Sequence, residues 1–207
     1  MYFAKRIPRK YRLLKVLDYE YFPLLKVPKK LGNLNHLKYL SFKYAYEVGE
    51  VPKSIGMLHN LETLDLRDTN VIVLPKEITK LRKLRHLLGR LLSLIQLKDG
   101  IGEMTSLQTL HKVDIDIDID IDIDGGVEVI KELGKLKQIR VLGMCVSEKY
   151  GSILSSSLNE MQHLEKLNVR SSAFEVIDLD LILSRTRLQK LTLNVRLQKH
   201  PEWIPEL

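Results

Sequence analysis

The chain holds a single cysteine, Cys145, among 207 residues. An intrachain disulfide is therefore excluded, and a reducing, intracellular setting is expected. No Asn-x-Ser/Thr acceptor for glycosylation occurs. No run of about 18 apolar residues is present, so no segment reads as a membrane span. The opening residues M-Y-F-A-K-R-I-P-R-K lack the apolar core of a signal peptide. Catalytic signatures are missing too. Gly134-Lys135 has neither the upstream glycine nor the following Ser/Thr of a phosphate loop. H-E-x-x-H, C-x-x-C and G-x-S-x-G are absent. The histidines are scattered, and His36, His59 and His163 mark a repeating position. No enzyme activity is expected, and Cys145 with a distant histidine makes a poor nucleophile.

Leucine, by contrast, recurs with a period. From Leu61 to Lys83 the apolar residues Leu61, Leu64, Leu66, Val71, Leu74, Ile78 and Leu81 stand at offsets 0, 3, 5, 10, 13, 17 and 20. L-x-x-L-x-L predicts a short strand with alternate side chains on one side, and L-P-x-x-I-x-x-L predicts a turn followed by a helical piece. Copies begin at 14, 37, 61, 84, 107, 139, 164 and 188, with one extra residue in the unit from Leu37. Pro28, Pro52 and Pro75 follow the offset-13 residue, and Lys98 replaces proline in the fourth unit. The spacing falls within the range of about 20–29 residues typical of leucine-rich repeats. One such unit cannot bury its apolar face alone, but stacked units can. The expected fold is an α/β repeat solenoid, a single curved horseshoe over residues 1–207. A parallel sheet would line its concave side, with short helices and loops on the convex side.

One spacing, 32 residues, breaks the series. It contains D-I-D-I-D-I-D-I-D-I-D, Asp114 to Asp124. Removing nine residues restores 23 and places Val129, Leu133 and Leu136 at offsets 13, 17 and 20. The run therefore reads as a dipeptide expansion bulging from a loop, where added length costs little. A calcium loop needs a turn and varied oxygen ligands, so no metal site is expected in it. Convex helices are expected from Glu128 to Leu136, and from Ser156 or Ser157 to Met161 with serine as N-cap. In the unit from Leu107 the third inward position is Lys112 with Val113 beside it, which predicts a slip or bulge. In the last unit Pro201, Ile204 and Leu207 match Pro28, Leu31 and Leu34.

Residues between the strand leucines should face out of the sheet and form one continuous concave surface. The candidate protein-binding residues are Asp18 and Glu20; Tyr39, Ser41 and Lys43; Thr63, Asp65 and Arg67; His86 and Arg90; Thr109 and His111; Lys166, Asn168 and Arg170; and Lys190, Thr192 and Asn194. Val16, Leu88, Val141, Gly143 and Cys145 occupy the same rows. Thr63, Asp65 and Arg67 are the first place to look for a partner. The net charge is +7, with 33 Lys+Arg against 26 Asp+Glu. These basic residues fill solvated repeat positions. The cluster Lys5, Arg6, Arg9, Lys10 and Arg12 reads as a solvated lead-in. Without an aromatic-interleaved basic patch, nucleic acid is not the expected partner.

The stretches LLKVLD, VPKKLGNLNHLKYLSF, VPKSIGMLHNLETLDLRDTNVIVLPKEITKLRKLRHLLG and LQKLTLNVRLQKHPEWI resemble the leucine-rich-repeat region of plant intracellular nucleotide-binding immune receptors of the coiled-coil type. The resemblance covers nearly the whole chain. L-x-G-x-I-P, usual in secreted or membrane plant repeats, is missing. The resemblance implies a cytoplasmic module of plant innate immunity, able to sit at the inner face of the plasma membrane through partners. Such a module senses a pathogen effector or guarded host protein and restrains a nucleotide-binding switch. ADP and ATP would belong to that switch, so no cofactor is expected here. The family's switch and coiled coil have no counterpart in this sequence, which suggests a fragment or the product of a truncated gene. The alternative is a stand-alone intracellular scaffold of the Ras-group-like class, binding a signalling protein. A ubiquitin-ligase substrate receptor would need an adaptor segment, and 13 residues before the first repeat leave no room for one.

Overall fold

A computed structural model describes residues 11–115, 123–171, 175–181 and 187–197. The basic residues Lys5, Arg6, Arg9 and Lys10, most of the Asp-Ile run, and Pro201, Ile204 and Leu207 lie outside these residues. Eight strands form one parallel sheet in sequence order: β1 Val16–Asp18, β2 Tyr39–Ser41, β3 Thr63–Asp65, β4 His86–Ser93, β5 Thr109–Asp114, β6 Val141–Val146, β7 Lys166–Ser171 and β8 Lys190–Asn194. Every strand begins two residues after a repeat start.

Each repeat hangs on the previous one through a single carbonyl. Lys15 C=O accepts the N–H groups of Lys38 and Tyr39, at 2.8 and 3.0 Å. Lys38, Glu62, Arg85, Gln108, Arg140 and Glu165 do the same for the next strand along. All seven carbonyls occupy offset 1 of their units. Behind the sheet the leucines form stacked layers: Leu37, Leu61, Leu84 and Leu107 are fully buried, as are Leu40, Leu64, Leu87 and Leu110. At the ends the layers thin, and Leu14, Leu17, Leu191 and Leu193 are only partly covered.

On the convex side, Pro28, Pro52 and Pro75 have φ of −63°, −70° and −67° and precede 3₁₀ turns at Lys29–Asn33, Lys53–Met57 and Lys76–Lys80. Proline fixes the entry angle and needs no donor there. Each proline carbonyl accepts the N–H of the isoleucine or leucine three residues on, at 2.9–3.0 Å. Where Lys98 replaces proline the segment breaks into two shorter turns, Ile95–Leu97 and Ile101–Glu103. Neighbouring turns nearly touch. A Cβ on Gly32 would lie 2.6 Å from Ser54 O, and one on Gly56 would lie 2.6 Å from Glu77 O.

From the fifth unit the convex pieces become α-helices, α1 Ile123–Gly134 and α2 Gly151–Asn159. Both depart from the expected bounds. α1 starts five residues before Glu128, so the end of the Asp-Ile run is drawn into it. Asp114 and Ile115, at the other end, are buried where β5 ends. The nine-residue insertion leaves the register intact, because Gln108 C=O still accepts from Arg140 and Val141 at 2.8 and 3.0 Å. Val129, Leu133 and Leu136 are buried at their expected places. In α2 the serines are interior and not N-caps. Ser155 Oγ and Ser156 Oγ donate to the carbonyls of Gly151 and Ser152, four residues back, at 2.9 and 3.1 Å. Ser155 Oγ also accepts the N–H of Asp180 in the next connection, at 2.9 Å. The first residue of the helix is a glycine where the chain crosses so close that a Cβ would lie 2.6 Å from Asp178 O.

Gly56→Ala should lower stability by about 1–3 kcal/mol, as overpacking does in tight interiors. Chemical denaturation would measure it, and an unchanged midpoint would show that the turns are not in contact.

Candidate protein-binding face

The strand alternation places the expected residues on the concave side, in rows that follow the pairings. Tyr39, Thr63, His86, Thr109, Val141, Lys166 and Lys190 are successive partners in one row. His86 Nδ1 lies 3.1 Å from Thr109 Oγ1 across two strands. Most members are exposed or half-exposed, but Ser41 and Asp65 are each only 1% exposed. They serve the chain's own turn. Ser41 Oγ accepts the Lys43 N–H at 3.3 Å, and Asp65 Oδ1 accepts the Arg67 N–H at 3.0 Å. Asp18 Oδ1 does the same for Glu20 N–H, at 3.0 Å. All three stand at offset 4, where the short strand ends and its backbone donors lose their ladder partner. Asp65 is thus withheld from a partner and instead grips Arg67, whose Nη2 donates to Oδ2 at 2.6 Å and whose Nε donates to Oδ1 at 3.0 Å.

The first half of the face is internally paired. Lys43 Nζ lies 3.2 Å from Glu20 Oε1 and 4.5 Å from the centre of the Tyr44 ring. Tyr44 stacks on Tyr21 with ring centres 4.5 Å apart. Tyr21, Tyr44 and Asp68 all have positive φ, of 57°, 59° and 56°, and all stand at offset 7. Sequence reading missed this tyrosine pair, because tyrosine carries no left-handed preference. Only Asp68 offers a recognisable signal there.

The second half differs. β4 carries Gly89 where a leucine belongs, and Leu92 fills the gap: a Cβ on Gly89 would lie 2.3 Å from Leu92 Cγ. The pairing with β5 shifts between Leu88 and Leu92 to accommodate this. β5 shifts in turn between Leu110 and Val113. Lys112 there has φ of 54°, and Val113 takes the inward place with no exposure. The expected bulge is present, and it turns Lys112 outward, adding it to the face. The strands lengthen here to five to eight residues, and a depression of about 530 Å³ opens over β4 to β8. Among its walls are Arg90, His111, Lys112, Lys166, Arg170 and Lys190. His111 Nδ1 lies 3.4 Å from Gly89 O. Burial, then the charges of Lys112, Arg67 and Arg170, push the His111 pKa down, against the pull of that carbonyl. Burial also lowers His86, helped by Arg85 and opposed by Glu62. Arg67 and Thr63, the expected first contact, stand outside this depression.

Among the described residues no group of three or more His, Cys, Asp or Glu is arranged to hold a metal ion, and no helix is long and apolar enough to cross a membrane. The fold is that of a protein-interaction module. A family model described as a leucine-rich repeat region matches residues 5–207. The chain belongs to the leucine-rich-repeat family. It is similar to plant disease resistance proteins. It is 40% identical over 140 residues to disease resistance protein RGA4 of Oryza sativa subsp. japonica, covering 64% of this chain and 14% of that protein. It is 31% identical over 200 residues to probable disease resistance RPP8-like protein 4 of Arabidopsis thaliana, covering 92% of this chain and 21% of that protein. The chain therefore spans a small part of these relatives. Among solved structures it matches the leucine-rich-repeat ectodomain of GASSHO1/SCHENGEN3 from Arabidopsis thaliana with a TM-score of 0.59 at 20% identity, covering 95% of this chain and 24% of that one. The leucine-rich-repeat domain of the type III effector XopL matches with a TM-score of 0.58 at 15% identity, covering 89% and 70%. These two likenesses concern the fold.

Two outcomes are expected. Asp65→Ala should cost about 1–3 kcal/mol, because the Arg67 side chain and N–H lose a buried acceptor; the shift in denaturation midpoint reads it. Both histidines are lowered from 6.5, so the unfolded chain binds more protons as pH falls through that value. Their contribution is full above it and lost as pH drops toward the depressed folded values. Stability against thermal unfolding should therefore fall from about pH 7 to pH 5. His111→Gln should flatten that slope, and an unchanged slope would exclude His111 as its source.

Proposed function

We propose that this chain is the recognition and restraint module of a plant immune receptor. Its concave face contacts a pathogen effector or a guarded host protein. It also packs against a nucleotide-binding switch domain outside this chain, where ADP and ATP exchange, and keeps it inactive. The module works in the cytoplasm, without catalysis of its own. The supporting observation is the sheet itself: among the described residues eight parallel strands in sequence order carry one outward face, in a chain similar to disease resistance proteins. Such a surface suits the grip of another macromolecule.

A chimera tests this reading. The chain replaces the matching stretch of the rice relative, and ion leakage is measured after expression in leaf tissue. The expected result is a silent receptor. Charge reversal on the concave face, Arg67→Glu with Arg90→Glu, should release leakage, whereas Lys53→Glu on the convex side should not. Constitutive leakage with the unaltered chain would defeat restraint. A silent chimera indifferent to both sets of changes would favour a scaffold that binds elsewhere.

A further inference from the structure

The two halves of the concave face differ in how their charges are satisfied. In the first, Lys43 is paired with Glu20 and Arg67 with Asp65. In the depression over β4 to β8, Arg90, Lys112, Lys166, Arg170 and Lys190 face Asp114 as the one acid in the wall. Asp114 is nearly buried. Among the described residues none of these five cations stands in an ion pair. They come from four strands, two of them from β7. Strands lie about 4.8 Å apart, so β4 and β8 are separated by about 19 Å. Lys166 and Lys190 are register partners on adjoining strands, so these two like charges lie within a Debye length and repel, whereas charges at the two edges are largely screened by salt.

β6 supplies no charge between them. Its Val141, Gly143 and Cys145 lie in the floor, with Leu142 and Met144 behind. A Cβ on Gly143 would lie 3.2 Å from Lys112 N, so a side chain there would press the neighbouring strand back by a few tenths of an ångström. The result is a small, largely apolar trough with cations on both banks: Arg90 and Lys112 on one, Lys166, Arg170 and Lys190 on the other. His111, its pKa lowered by burial and then by Lys112, Arg67 and Arg170, stands at the first bank.

We infer that this trough is the docking site for an acidic peptide segment of a protein partner, extended across β5 to β8, with an apolar side chain seated over β6 and carboxylates facing the two banks. The inference rests on the recognition role proposed above and narrows it to one half of the face and one chemistry. A compact polyphosphate would leave the apolar floor unmatched and would need cations converging on one point, not spread over four strands. Single-stranded nucleic acid would need rings to stack on, and no aromatic ring other than His111 lines the trough.

Cys145 gives a built-in reporter, since it is the chain's single cysteine and lies partly exposed in the trough. The full chain is titrated with a fluorescent synthetic peptide of alternating Glu and Asp around one central Leu, with a Lys/Leu peptide as control. Anisotropy reports binding, and the rate of Cys145 alkylation by iodoacetamide reports location. The expected result is saturable one-to-one binding that slows alkylation. Lys166→Glu with Arg170→Glu should weaken it about tenfold or more, a loss of about 1.4 kcal/mol or more. Lys53→Glu with Lys131→Glu, which removes the same charge from the convex side, should leave it within about twofold, a change below about 0.5 kcal/mol. Circular dichroism checks the fold, and Lys166→Gln with Arg170→Gln repeats the test should the reversals unfold the chain. Equal loss in both charge pairs would reduce the binding to net charge and overturn the site. So would binding without protection of Cys145, or displacement by inorganic tripolyphosphate as effective as by unlabelled peptide. Failure here with a silent, Arg67/Arg90-sensitive chimera would sink the trough alone, whereas a constitutively active chimera with intact peptide binding would sink restraint and leave the trough.

Discussion

One carbonyl per repeat sets the geometry of the whole chain. At offset 1 it accepts two successive N–H groups from the next repeat, and it does so seven times, from Lys15 to Glu165. This fixes each strand against its neighbour to the residue. Because strand side chains alternate, a slip of one residue would turn the leucine layers to solvent and the polar rows into the core. Burial of the leucines and the shared carbonyl therefore enforce the same register. The outward rows of the concave side are a by-product of that agreement, and this is why successive strands contribute to the same row.

The same constraint explains where irregularity is tolerated. Beyond the 32-residue spacing the sheet resumes in register, with Thr109 opposite Val141 and Leu110 opposite Leu142. The cost of a longer closed loop grows only slowly with length. Irregularity inside the sheet is different. Gly89 removes an inward leucine, Leu92 swings into its place, and β5 answers with Lys112 in a left-handed conformation. These two bulges lengthen the strands and open the depression. Its origin is a local failure of the repeat, compensated by the neighbouring repeat.

Much of this was legible in the residues. Offsets 0 and 3 located the eight described strands, the proline position located three convex turns, and the offset-5 mismatch at Lys112 located a bulge. Less visible was anything decided by a neighbour's shape. Helix α2 begins at Gly151 and not at a serine, and its first residue is packed so close to Asp178 that only glycine fits there. Asp65 reads as an outward acid, but the short strand leaves the Arg67 N–H needing an acceptor and draws the carboxylate inward. The left-handed tyrosines are likewise set by the repeating turn and not by their own preference. Periodicity names the residues on a face; it does not say which of them are already engaged.

That distinction bears on how such a face can recognise anything. A charge paired within its own chain presents little free field, and breaking the pair to bind a partner costs much of what the new contact gains. Asp65–Arg67, with its carboxylate buried, is of this kind, and Glu20–Lys43, although more exposed, also neutralises its cation within the chain, so the first half of the face has limited electrostatic demand. Unpaired cations over β4 to β8 already bear their mutual repulsion in the free protein, and a partner's carboxylates relieve it. On the docking proposal, relief of that repulsion is gained only in the complex, which would place binding energy and selectivity for acidic segments in the second half. The repeat register makes the face; the two bulges, by lengthening the strands and turning Lys112 outward, make one part of it electrostatically incomplete.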